Sequence, residues 1–113
     1  MLMATTSTAA EQVQPQDPAI AWQMIDKGAM VLDVRTPEEF AEGHLANAVN
    51  IPYEIVADEF AKRGIDKDTP VVVYCRSGRR SGIAIEALSA AGYNQTYNGG
   101  GYEQLNEARL KKQ

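Results

Sequence analysis

The chain has 113 residues, 44% hydrophobic and 23% charged, with a net charge of −4 and an isoelectric point near 4.9. That length supports one core and not two, the acidic balance argues against nucleic acid as a partner, and no run approaches the roughly 20 apolar residues of a membrane-spanning helix. A single cysteine excludes an intrachain disulfide, a cysteine-cluster metal site and a second, resolving cysteine within the chain.

Residues 1–16 are small and polar and read as a flexible tail, with the domain proper expected over residues 17–110. The tail has neither a basic start nor an apolar stretch, so no intact secretory leader is read in it. A periplasmic protein whose leader has been removed and a cytoplasmic protein would look alike here. Asp17 as N-cap, Pro18 in the first turn and Gly28 at the C-terminal end predict a helix between them. Ala29 to Val34 is a strand. Thr36, Pro37 and Glu39 then form a capping box that opens a short helix ending at Gly43. His44, the only histidine, sits beside that helix end and is expected to bond its carbonyls rather than to act as a base. Ala48 to Ile51 is a short strand stopped by Pro52, and Glu54 to Arg63 is a helix ended by Gly64. After the turn at Asp68-Thr69-Pro70, the β-branched run from Val71 to Val73 leads through Tyr74 into Cys75 as a buried strand. A helix is expected from Ser81, with Ile83, Ala84, Ala87, Leu88 and Ala91 on one face and Gly92 at its end. Asn94 to Tyr97 reads as a last strand, Asn98 to Gly101 as a loop, Tyr102 to Leu110 as a helix and the remainder as a tail. Alternating helices and short strands predict an α/β fold with a mostly parallel sheet of about five strands, covered by helices on both faces.

Cys75 ends its strand on the rim where parallel sheets bind ligands. Arg76, Arg79 and Arg80 give the following loop a charge of +3 within an acidic chain. Backbone N–H groups in a tight loop, with a helix N-terminus behind them, converge on an anion. That setting depresses a thiol pKa and produces the nucleophilic thiolate. An exposed thiolate is therefore expected at Cys75, open to over-oxidation. A lone cysteine after an apolar strand is more often a small buried hydrophobe; three arginines and Gly78 within five residues turn the reading to a reactive one. Asp33 and Arg35 end another strand on the same rim. Asp33 is read as bracing the loop, and Arg35 is left open between substrate and structure. The glycines after Asn98 match no nucleotide-binding pattern.

Leu32-Asp33-Val34-Arg35-x-x-x-Glu39-Phe40, followed by Gly43-His44-Leu45-x-x-Ala48-x-Asn50-Ile51-Pro52, resembles the N-terminal signature of the rhodanese homology domain. Tyr74 to Ser81 resembles its active-site loop, and Gly92-Tyr93 with Asn98-Gly99-Gly100 resembles its C-terminal signature. The likeness is to small single-domain bacterial rhodaneses of the phage-shock type. It implies a three-layer rhodanese-like fold and a sulfurtransferase, with no cofactor and no metal. Sulfane sulfur from thiosulfate or a similar donor would pass through a Cys75 persulfide to cyanide or a thiol, with a thioredoxin-like protein as one kind of acceptor. By the same resemblance, Arg76, Ser77, Gly78, Arg79 and Arg80 would bind substrate, with Asp33, Arg35 and Ser81 in support, in a monomer that binds neither nucleic acid nor membrane. Arg80 is the arginine of the family's loop pattern, while Arg76 and Arg79 occupy its variable positions. Two alternatives remain: a non-catalytic persulfide carrier or redox-sensing module and, more distantly, a phosphatase or arsenate reductase. The loop speaks against the latter pair, because those members carry Cys-x5-Arg and this chain carries Cys-x4-Arg, with Ser81 where the longer loop has its arginine. Tyr102 stands where the family often has tryptophan.

Overall fold

The computed structural model describes residues 16–112. Of the expected tail, only Gln16 falls within them. Four strands, β1 (Met30–Asp33), β2 (Val49–Asn50), β3 (Val71–Cys75) and β4 (Thr96–Gly101), form one parallel sheet in the order β2-β1-β3-β4. The expected α/β class with helices on both faces is therefore present, but the sheet has four strands among the described residues and not about five. β2 is held to two residues because Pro52 has no N–H to continue the ladder.

The described residues include the α-helices α1 (Pro18–Asp26), α2 (Pro37–Glu42), α3 (Val56–Lys62), α4 (Arg79–Ala90) and α5 (Tyr102–Lys112). Their caps follow the sequence. Asp17 accepts from the Ala19 N–H at 2.9 Å, and Thr36 and Glu39 complete their capping box. The helix expected from Glu54 to Arg63 is divided: a 3-10 turn at Tyr53–Ile55 precedes α3, because Ile55 leaves helical geometry at φ −121°, ψ 14°. α5 runs on to Lys112, past the expected end at Leu110.

The larger core lies between the sheet and the α3/α4 face, where Leu32, Val34, Phe60, Val73, Cys75 and Leu88 are buried. On the opposite face Ala21, Val31, Val72, Tyr74 and Leu105 pack beneath α1 and α5. Alternate residues of β3 feed the two cores, so the whole strand is buried. Each such Val or Leu contributes about 1.5–3 kcal/mol by leaving water.

β4 departs most from expectation. The stretch Asn98 to Gly101, expected as a loop, continues the strand beside β3. Pairing runs Val73 with Asn98 and then Tyr74 with Gly100, so Gly99 is one residue too many and forms a bulge. Glycine is required farther on, because a Cβ on Gly101 would lie 2.5 Å from the Arg76 carbonyl oxygen. The glycines let β4 approach the loop that leaves β3.

A buried ion pair closes the carboxyl end of β1. Arg35 donates to both Asp33 carboxylate oxygens, at 2.7 Å from Nη2 and 3.0 Å from Nε, and its Nη2 also donates to the Gly43 carbonyl at 2.6 Å. Its guanidinium carbon lies 4.8 Å from the Tyr102 ring centre and 5.6 Å from that of Tyr74. Asp33 has no exposed surface and Arg35 only 5%. Removing one partner of such a pair leaves a buried charge uncompensated. We expect Asp33→Ala to lower the unfolding free energy by about 3–5 kcal/mol in urea denaturation. A loss below about 1 kcal/mol, the range of an exposed pair, would show that the pair does not hold this turn.

Candidate active site

Only Arg76, Ser77 and Gly78 separate Cys75, the last residue of β3, from the first turn of α4. The chain reverses so quickly because Gly78 takes the left-handed conformation, φ +98°, ψ −12°. It serves as N-cap without a side chain, and the Arg79 N–H donates instead to Ser77 Oγ at 3.5 Å. Other N–H groups of the turn face the cysteine. The Gly78 N–H donates to Cys75 Sγ at 3.0 Å, and the Ser81 hydroxyl lies 3.7 Å from the same sulfur. Burial pushes the Cys75 thiol up. The Ser81 N–H and hydroxyl, together with the N–H groups of Ser77 and Gly78, outweigh that penalty and bring the thiol below its ordinary value.

Cys75 has no exposed surface, where the sequence leads one to expect an open thiolate. The three-residue loop folds its N–H groups over the sulfur.

The arginines separate into two kinds. Arg80, at the second position of α4, is held from both ends of its guanidinium by Glu39, at 2.9 Å from Nη1 and 3.1 Å from Nη2. Arg76 reaches the same carboxylate at 3.3 Å but leaves 70% of its side chain exposed. Arg79 is exposed and forms no ion pair with any described residue. The Arg80 hydrogen bonds are the main reason that the Glu39 carboxyl lies far below the usual carboxylate range, with burial opposing them. Arg79 and Arg80 both stand in the first turn of a helix, where the macrodipole disfavours cations. Their position suits an anion and not helix stability.

Arg76 lines two adjoining clefts. One, about 300 Å³, is bounded by Glu39, Glu42, Gly43, Tyr102 and Glu103. The other, about 390 Å³, lies along Gly99, Gly100, Gly101, Ser77 and Gln16. Gln16 rests against the Gly78 turn, its Oε1 2.5 Å from where a Gly78 Cβ would stand.

Cys75, Ser77, Gly78 and Ser81 thus meet around one sulfur, and Arg76 and Arg79 ring it at the surface. Asp33 and Arg35 are bound to each other beneath the rim. His44 stacks on Phe40 at 3.7 Å and pairs through Nδ1 with the Phe40 carbonyl at 2.9 Å, away from the sulfur, in the backbone role expected for it. Sequence reasoning missed two residues. Glu39 is visible as a capping-box acid, but its hold on Arg80 joins residues 41 apart. Asn98 is visible as the polar neighbour of the glycines, but its place beneath the loop depends on the Gly99 bulge. Tyr102 packs over Arg35 and forms part of a cleft wall.

The Rhodanese-like domain family matches residues 17–108. Thiosulfate sulfurtransferase PspE of Escherichia coli (strain K12) is 40% identical over 80 residues, 71% of this chain and 77% of that protein. Thiosulfate sulfurtransferase 18 of Arabidopsis thaliana is 39% identical over 111 residues, 87% of this chain and 82% of that one. Among solved structures, a rhodanese with anions from E. coli superimposes with a TM-score of 0.63 at 41% identity, covering 67% of this chain and 89% of that one. A rhodanese-related protein from Thermoplasma volcanium gives a TM-score of 0.70 at 31% identity, covering 85% of this chain and 93% of that one. With its single cysteine cradled at the carboxyl end of a central parallel strand, the chain belongs to the rhodanese-like domain family.

Proposed function

We propose that this chain, through a unit spanning residues 17–110, is a thiosulfate sulfurtransferase that carries sulfane sulfur as a persulfide on Cys75. The observation that supports this most directly is the Gly78 N–H aimed at the sulfur from 3.0 Å at the N-terminus of α4, with Ser81 Oγ 3.7 Å away.

The Cys75 thiolate attacks the outer sulfur of thiosulfate. A bond forms between Sγ and that sulfur, the sulfur–sulfur bond of thiosulfate breaks, and sulfite leaves with its electron pair. The persulfide that remains is an anion with its charge on the outer sulfur. Preorganised N–H groups stabilise such a charge without reorganising. Cyanide or a thiolate then attacks the outer sulfur, and Cys75 departs as thiolate to begin again. The lowered pKa of Cys75 favours the thiolate, and a thiolate nucleophile needs no general base. Arg79 and the exposed part of Arg76 draw the sulfonate end of thiosulfate. Arg80 is engaged by Glu39 and acts by fixing the start of α4. The short cradle suits sulfur better than a tetrahedral oxyanion, which disfavours the phosphatase and arsenate reductase reading.

Intact mass after brief incubation with thiosulfate should show one added sulfur atom on the wild type, discharged by cyanide, and none on Cys75→Ser. Addition without catalytic turnover would favour the carrier reading, and no addition would refute thiosulfate as donor. The rate of Cys75 alkylation should rise through one midpoint below the ordinary thiol value of about 8.5. It should show no inflection in the usual carboxylate range, because Glu39 stays ionised there. A midpoint at or above the ordinary value would contradict the cradle. Arg79→Ala should raise KM for thiosulfate by roughly three- to tenfold at low salt and leave kcat within about twofold, the pattern of lost binding common to ground and transition states. The effect should shrink as salt screens the exposed charge; a change confined to kcat would place Arg79 in the chemical step.

A further inference from the structure

Asn98 is 3% exposed in the middle of β4, at a place where a parallel strand ordinarily carries an apolar side chain. A buried amide costs about 1–3 kcal/mol unless its hydrogen bonds are made. Here they are made to the loop that holds the cysteine. Asn98 Nδ2 donates to the Gly78 carbonyl at 3.0 Å, and its Oδ1 accepts from the Ser81 hydroxyl at 2.7 Å and from the Gly100 N–H at 2.9 Å. These partners fix the orientation of the amide. Oδ1 must face the two donors, and Nδ2 must face the carbonyl.

Two of those partners are the groups that shape the cradle. Gly78 points its N–H at Cys75 Sγ and its carbonyl at Asn98. Ser81 lies between Asn98 and the sulfur: its hydroxyl gives its proton to Asn98 Oδ1 or to the Gly78 carbonyl at 3.0 Å, its oxygen stands 3.7 Å from Sγ, and its N–H faces the sulfur. We propose that Asn98 is the positioning residue of the cradle, holding the left-handed turn at Gly78 and the side chain of Ser81 so that the N–H groups of both residues stay aimed at Cys75 and its persulfide. The Gly99 bulge makes this possible by pairing Asn98 with Val73, one step before the extra residue. The proposal deepens the sulfurtransferase reading and rests on it for the persulfide, but the thiolate on which it acts is measurable without any sulfur donor.

The other charged groups near the sulfur are Arg80 on α4, Glu39 on α2 holding Arg80, Arg76 and Arg79 at the surface, and the Asp33–Arg35 pair at the end of β1. Two variants test the proposal. Asn98→Leu keeps the approximate volume and removes all three bonds. Asn98→Asp keeps the acceptor and loses the amide donor to Gly78. The readout is the pH midpoint of Cys75 alkylation by iodoacetamide on the full chain, alongside thermal unfolding and persulfide formation with thiosulfate. We expect the midpoint to rise by about half a pH unit or more in both variants, with alkylation below the midpoint about threefold slower. In a Ser81→Ala background the Asn98→Leu shift should shrink, because one of its two routes to the sulfur is gone. A purely structural role would lower the melting temperature and leave the midpoint alone. A folded Asn98→Leu or Asn98→Asp with a wild-type midpoint overturns the proposal, as does failure of both variants to fold. A wild type that alkylates at a depressed midpoint but takes no sulfur from thiosulfate would refute the donor and leave the role of Asn98 to be decided by the variants.

Discussion

Gly78 has φ of +98°, only three residues after the sulfur-bearing end of β3. A residue with a Cβ is strained in that conformation. The helix starts immediately afterwards, so the N–H groups of Ser77, Gly78 and Ser81 all face the cysteine. Everything chemical in the molecule follows from this reversal. Sulfur, donors and helix N-terminus occupy one small volume because the backbone turns there without an intervening loop. The rest of the fold supplies the setting: a fully buried central strand to present Cys75, and a glycine-rich neighbour close enough to support the turn from below.

Two electrostatic tendencies compete at the sulfur. Removing it from water opposes ionisation, and several directed donors favour it. The donors prevail because they are held in place before any charge appears. The charge ring outside is arranged differently. Glu39 neutralises Arg80 within the fold and also reaches Arg76, while Arg79 and most of the Arg76 side chain stay in water. Under the proposed function, attraction of the anion at the surface and its stabilisation at the sulfur fall to different residues, all within a few positions of one another in the chain.

Much of this could be read from the sequence because it depends on local rules. The caps at Asp17 and Thr36, the ends at Gly28 and Gly92, the buried strand into Cys75 and the basic loop after it all involve residues within a few positions of each other. The backbone role of His44 could be read for the same reason. What escaped depends on contacts between distant segments. The glycines after Asn98 look like a loop until β3 lies beside them, and only then do they continue a strand. The burial of Cys75 depends on how tightly the loop closes, which the loop's composition does not state. The link between Glu39 and Arg80, and the place of Asn98 under the turn, exist only once β1, β3 and β4 are laid side by side.

The single extra residue at Gly99 gives the fold a point of adjustment outside the cysteine loop. Side chains alternate along a strand, so a residue gained or lost there exchanges which side chain of β4 sits under the cysteine turn. The nucleophile loop and the helix behind it need not change at all. Two proteins that share Cys-Arg-Ser-Gly-Arg-Arg letter for letter can then hold thiols of different acidity, and their loops alone will not rank them. If Asn98 positions the cradle as proposed, the last strand, which carries no reactive group, is where the acidity of the thiol is adjusted.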